Sequence, residues 1–252
     1  MVWHSINMTR RRAIHIVLCL SIAANFLFLS LGIVVVHRRG GMSYLRNRLR
    51  FGAEQLPADP HNSMRVSLFN TLARPTTSPA TVFLGDSITQ NCEWSELLGV
   101  PVINRGIDGD TTADILDRLD AVLALRPQVI FLMVGINDIG RGVDPKVTVQ
   151  NYTQIIRRIH ASSPSTTVYL QSVLPIRGQG NEKNRQVRAL NQEISNLADN
   201  KTFIFVDLYH SFLQGDEMSP DLSVNDGVHL NGAGYEVWKT NIMRFLTARA
   251  GN

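Results

Sequence analysis

Ala80-Thr81-Val82-Phe83-Leu84 runs straight into Gly85-Asp86-Ser87, an apolar, β-branched pentad that stops at a turn. The run is too short for a helix and carries no polar alternation, so it reads as a strand covered on both faces. Val100–Asn104, Gln128–Val134, Thr166–Gln171 and Thr202–Val206 read in the same way. Between them, Thr111–Leu125, Lys146–Ala161 and Glu182–Ala198 place apolar residues three and four apart, as does the closing segment Gly232–Ala248. Strand and helix in alternation predict an α/β domain built on a five-stranded parallel sheet with helices on both faces. Thr111 followed three residues on by Asp114 has the form of a helix-start capping box.

In such sheets ligands gather beyond the carboxyl ends of the strands. Three short polar blocks fall there, each after a predicted strand: Gly85-Asp86-Ser87, Asn104-Arg105-Gly106 and Gly135-Ile136-Asn137-Asp138. A fourth, Asp226-Gly227-Val228-His229, lies in the C-terminal loop. A serine is a weak nucleophile until a base sits within hydrogen-bond reach and a third group orients that base. His229 is the natural base for Ser87, and Asp226, three residues earlier, is placed to hold its tautomer. Among the other histidines only His210, after the fifth strand, competes, and it is read as lacking an acid at a comparable spacing. The Ser87 N–H, the Gly106 N–H and the Asn137 amide are the expected donors to a developing oxyanion. Taken singly, a Gly-Asp-Ser turn, a glycine turn or a capping asparagine is ordinary; their order after successive strands is what carries the chemistry.

Weaker signals surround these blocks. Arg177, after the fourth strand, is a candidate substrate-binding residue, with a solvated loop arginine as the plainer reading. Trp94 is a candidate for the acyl pocket, although its place in the first helix makes a core position the commoner reading. Gly106-x-x-Gly109 is only a fragment of a dinucleotide fingerprint, and Asp108 with Asp110 suits turn formation and capping better than a metal pair. No metal or cofactor is expected.

On these residues the chain resembles the SGNH or GDSL-type hydrolase superfamily over about residues 80–248. Gly85-Asp86-Ser87-Ile88-Thr89 is similar to the nucleophile block and Asn104 to Thr112 to the glycine block. Gly135-Ile136-Asn137-Asp138 is similar to the asparagine block and Asp226 to Leu230 to the acid/base block. Gly109-Asp110-Thr111-Thr112 and His229 to Tyr235 most resemble the branch holding platelet-activating-factor acetylhydrolase-like proteins and carbohydrate acetylesterases. The resemblance implies a flavodoxin-like three-layer α/β/α sandwich, metal-free hydrolysis through an acyl-serine, and a small-molecule, glycan or lipid ester as substrate. An acyltransferase with the same triad, or a lysophospholipase or thioesterase, stays open beside the short-chain esterase.

The first 79 residues have another character. Ala13 to Val36 holds 24 residues without Asp, Glu, Lys or Arg. As a helix rising about 1.5 Å per residue, that run spans a hydrocarbon layer of about 30 Å. It is long for the apolar core of a signal peptide and lacks a small-residue cleavage pattern, so a single transmembrane anchor is expected at 13–36. A basic flank precedes it at 1–12, a basic juxtamembrane segment and linker occupy 37–79, and the hydrolase domain fills 80–252. A short helix is expected at Ser63–Leu72 within the linker. Residues 1–60 carry eight Arg against Glu54 and Asp59, whereas residues 61–252 carry 17 Lys and Arg against 19 Asp and Glu. The basicity therefore belongs to the membrane flanks, which argues against a nucleic-acid partner. Arg10, Arg11 and Arg12 abutting the apolar run have the form of a signal anchor, which points to an extracytoplasmic domain. The two cysteines, Cys19 and Cys92, sit too far apart in environment to pair. Oligomeric state is not legible.

Overall fold

The computed structural model describes residues 60–75 and 80–247, together with Ser21, Ile22, Asn25, Phe26 and Ser30, which are helical. The chain separates into two units, residues 1–60 and 61–252. The expected anchor at 13–36 lies almost wholly outside the described residues, as do the basic flank and residues 37–59. Among the described residues no helix is long and apolar enough to cross a membrane.

In the second unit five parallel strands form one sheet: β1 (Thr81–Gly85), β2 (Ile103–Gly106), β3 (Val129–Met133), β4 (Thr167–Gln171) and β5 (Phe203–Val206), in the order β2-β1-β3-β4-β5. This is the flavodoxin-like order, with its reversal between β1 and β3. The chain leaves β1 to one side for β2 and crosses to the other for β3, so the loops after these strands diverge and leave a crevice at their carboxyl ends. β3 and β4 are buried throughout. In register across three strands, Phe83, Phe131 and Tyr169 stack at 4.8 and 4.7 Å between ring centroids. Such offset pairs each contribute about 0.5–1.5 kcal/mol beyond burial and pin the strand register.

The helices are α1 (Pro60–Thr71), α2 (Ser87–Gln90), α3 (Trp94–Leu98), α4 (Thr112–Asp117), α5 (Leu119–Leu123), α6 (Ile136–Arg141), α7 (Pro145–Ser162), α8 (Asn181–Asn196) and α9 (Gly232–Thr247). α3 and α9 pack together over the aromatic face, while α4, α5, α7 and α8 form a second contiguous group. β2 starts at Ile103 rather than at Val100 because Pro101, without an N–H, cannot join the ladder. The long helix expected from Thr111 begins with the predicted reciprocal Thr111–Asp114 box but breaks at Arg118 (φ −104°, ψ 7°). That residue's guanidinium is drawn inward to Asp110, Gly85 O and Arg105 O. A short hairpin, β6 (Leu213–Gln214) with β7 (Glu217–Met218), is an addition the periodicity did not reveal.

Candidate active site

β1 ends at Gly85, where a Cβ would stand 2.3 Å from both Met133 O and Thr89 Oγ1, so only glycine lets the chain turn so tightly against β3. Asp86 then caps α2, its Oδ1 accepting from the Ile88 N–H at 3.0 Å, and Ser87 opens the helix almost fully buried. The second carboxylate oxygen of Asp86 is buried and has no hydrogen-bond partner among the described residues. Burial, opposed by the Ile88 N–H, pushes this carboxyl up to about 7.

The base arrives from the loop before α9. Asp226 Oδ1 accepts the N–H groups of Val228 and His229 at 2.8 and 2.9 Å, and its Oδ2 lies 2.6 Å from His229 Nδ1. His229 Nε2 lies 2.9 Å from Ser87 Oγ, across 142 positions of sequence. An ionised carboxylate can only accept, so Nδ1 carries the hydrogen and Nε2 turns its lone pair to the serine hydroxyl. Partial burial raises the Asp226 carboxyl, but the bonds from the His229 ring and the two N–H groups outweigh that and hold it below the usual carboxylate range. The turn requires Gly227 at φ +71°, where a Cβ would meet Arg177 O at 2.4 Å.

Arg177 is thereby corrected from its expected role. Its N–H donates to Gly227 O at 2.8 Å and its Nη2 to Val224 O at 3.2 Å, so the residue ties down the acid/base loop rather than reaching outward for substrate. Trp94 is also corrected: it is buried under Phe83 at 4.2 Å, edge-on to Trp238, with Nε1 donating to Thr89 O. An indole so enclosed lines the core and not an acyl pocket.

Of the three expected oxyanion donors, Gly106 is misplaced. Its N–H donates to Asn104 Oδ1 at 2.8 Å. Asn104 Nδ2 in turn contacts the carbonyls of Thr89, Gln90 and Cys92, so the Asn-x-Gly block splices β2 to the end of α2. Gly106 is glycine for close approach, since a Cβ would fall 2.3 Å from Gln90 N. Three residues on, Gly109 adopts φ +74°, and its N–H donates to no protein group among the described residues. The Ser87 N–H is equally unspent there. Asn137, near the start of α6, uses one amide hydrogen on Asp110 O at 3.0 Å, which brings the 106–110 loop beside it and leaves the second hydrogen available. Asp138, buried behind, accepts from the Thr112 N–H and hydroxyl and joins α6 to α4. The signal for Gly109 was present as an Asp-Gly turn dipeptide, which commonly carries positive φ.

His210 does have an acid at the same spacing. Asp207 lies three residues before it, with Oδ2 at 2.5 Å from His210 Nδ1, contrary to the sequence reading. The imidazole is largely exposed, and among the described residues no serine, threonine or cysteine hydrogen-bonds to it.

Residues 83–237 match the GDSL-like lipase/acylhydrolase family. Acetylxylan esterase of Geobacillus stearothermophilus is 26% identical over 158 residues, covering 58% of this chain and 72% of that protein. Thioesterase 1/protease 1/lysophospholipase L1 of Escherichia coli K12 is 27% identical over 171 residues, covering 63% and 78%. The fold is shared with a GDSL-like lipase from Bacteroides thetaiotaomicron, with TM-score 0.63 and 24% identity over 74% of this chain and 97% of that one. A lipase/acylhydrolase from Enterococcus faecalis gives TM-score 0.56 and 25% identity over 68% and 97%. The family match and the esterases among these relatives define a carboxylic ester hydrolase. The chain belongs to the GDSL-like lipase/acylhydrolase family.

Proposed function

We propose that this chain is a membrane-anchored serine esterase that hydrolyses short-chain esters, acetyl above all, on a small-molecule, glycan or lipid substrate. The reading rests on one observation: a buried serine hydroxyl 2.9 Å from an imidazole whose far nitrogen is held by a carboxylate at 2.6 Å. His229 removes the Ser87 proton as Oγ attacks the ester carbonyl, and Asp226 stabilises the imidazolium that forms. The Ser87 and Gly109 N–H groups and the free Asn137 amide hydrogen take the negative oxygen. His229 returns the proton to the leaving alcohol, and a water molecule then attacks the acyl-serine by the same route. The acetyl preference is supported by the acetylxylan esterase among the relatives. The anchor is supported by the charge-free run at 13–36, and the extracytoplasmic placement by the three-arginine cluster before it.

The test is an ester series from acetate to octanoate, hydrolysed by the full-length protein in detergent micelles beside Ser87→Ala. The expected kcat/KM is highest for acetate and falls with chain length, and Ser87→Ala lowers it about 10⁴-fold or more. A maximum at octanoate removes the short-chain reading in favour of the thioesterase or lysophospholipase type. Activity indifferent to Ser87 removes the mechanism. Resistance of the protein to alkaline extraction from membranes, with the domain digested by protease added to intact cells, is the expected result for the anchor and its orientation.

A further inference from the structure

Helix α1 precedes the residues that match the family, yet its inner face meets the loop after β2. Asn62, Arg65 and Phe69, spaced by three and four, fall on that one face. Asn62 Nδ2 donates to Asp108 O at 2.6 Å, and Arg65 Nε donates to Gly106 O at 3.0 Å. Phe69 is buried, with the guanidinium groups of Arg105, Arg65 and Arg118 at 4.4, 5.0 and 6.0 Å from its ring. Arg118 continues the connection inward, donating to Gly85 O and Arg105 O near the ends of β1 and β2.

The contact from Asn62 has a geometric consequence. A trans peptide is planar, with its C=O and N–H directed oppositely, and no described peptide is cis. Asp108 O and the Gly109 N–H belong to the same peptide, so the side chain that holds the first fixes the direction of the second. On the other side of Gly109, Arg141 Nη2 holds Gly109 O at 2.5 Å. A glycine at φ +74° has no side chain to anchor its flanking peptides; the turn bond from the Asp110 N–H to Ile107 O closes the loop around it, and these two outside contacts hold the carbonyls on either side of it.

We propose that Asn62 is a positioning residue for ester hydrolysis: from α1 it sets the direction of the Gly109 N–H, while Arg65 and Phe69 hold the helix in place. The proposal rests on the serine-esterase reading above, with Gly109 as an oxyanion donor. It makes the segment joining the domain to the N-terminal stretch part of the catalytic apparatus.

The test uses the full-length protein in micelles, with p-nitrophenyl acetate as substrate and an alkyl trifluoromethyl ketone as a probe that forms a tetrahedral adduct. Asn62 is half-buried, and circular dichroism and Tm check that each variant keeps the fold. Asn62→Ala is expected to lower kcat about tenfold, a fraction of the 10²–10³ lost when an oxyanion donor is removed outright. KM stays within about twofold and the ketone binds more weakly by the same factor as kcat. Asn62→Asp, the same size but an acceptor facing Asp108 O, is expected to lose at least as much, whereas a packing role ranks it milder than alanine. Asn62→Gln, which keeps the donor, recovers part of the loss. Overturning results are kcat and ketone affinity within twofold of wild type in Asn62→Ala, a loss confined to KM, or Asn62→Asp milder than alanine. Each of these, with Ser87→Ala inactive, removes only the role of Asn62; wild-type rates in Ser87→Ala remove the serine mechanism and this proposal together.

Discussion

Two Asp-x-x-His segments lie in the C-terminal third of this chain, Asp207–His210 and Asp226–His229, and they form the same pair. In both, the carboxylate meets Nδ1, at 2.5 and 2.6 Å, and accepts the histidine's own N–H. They differ in backbone and in what the far nitrogen faces. The first leads into a 3-10 turn (Tyr209–Phe212) through Leu208 at φ −93°, is set in the core by that leucine, and leaves its imidazole in solvent. The second bends through Gly227 at φ +71°, is tied to Arg177, and turns Nε2 onto Ser87. An aspartate three residues before a histidine is thus easily made and means little; the strand order that delivers a nucleophile to the other nitrogen gives it chemistry.

Removing each imidazole in turn separates the two segments most strongly. His229→Ala is expected to lower kcat/KM for a short-chain ester about 10⁴-fold or more, and His210→Ala to leave it within about twofold. Equal losses end the distinction. Removing each carboxylate comes next: Asp226→Asn is expected to cost about 10³- to 10⁴-fold by releasing the tautomer, against no measurable loss for Asp207→Asn. A steady-state comparison on one substrate reads both. The backbone difference is tested by Gly227→Ala, which puts a Cβ against Arg177 O at a positive φ. A cost of about 1–3 kcal/mol corresponds to a fall in Tm of roughly 3–10 °C by calorimetry. A Leu208→Ile swap, at an ordinary φ, is expected to cost less.

The smallest effect concerns Asp86, one residue before the nucleophile. Its carboxyl is raised from 3.8 to about 7, so between those values the native state keeps a proton that the unfolded chain releases. The stability this group contributes therefore falls as pH rises through that window and levels off above it. Asp86→Asn retains the cap on α2 and removes the ionisation, so its Tm is expected to gain on wild type between pH 5 and 8, by a few degrees. A constant difference between the two proteins across that range contradicts the assignment.

Much of the fold was legible because buried parallel strands leave unbroken apolar runs, and all five were found near their observed places. The limits lay where side chains act on backbone. Pro101 delays β2, and Arg118 interrupts a helix to reach two strand ends, neither of which periodicity records. In the site, Ser87, Asn137, Asp226 and His229 stand out by block order, but choosing between Gly106 and Gly109 depends on a bond from Asn104, two residues away, that consumes the Gly106 N–H. Arg177 and Trp94 illustrate the same limit: residue type permits a substrate contact, and only packing shows one holding a loop and the other filling the core. Asp207 stands at the same spacing from His210 as Asp226 does from His229, so the sequence carries both pairs in full and only the contact with Ser87 tells them apart.

The most direct measurement is rapid-quench mass spectrometry of the full-length protein mixed with p-nitrophenyl acetate, following acetylation of each peptide in wild type, His229→Ala and His210→Ala. An acetyl group is expected on the peptide carrying Ser87, formed at the wild-type rate without His210 and slowed by orders of magnitude without His229. Acetylation at another residue, or of Ser87 at an undiminished rate in His229→Ala, contradicts it.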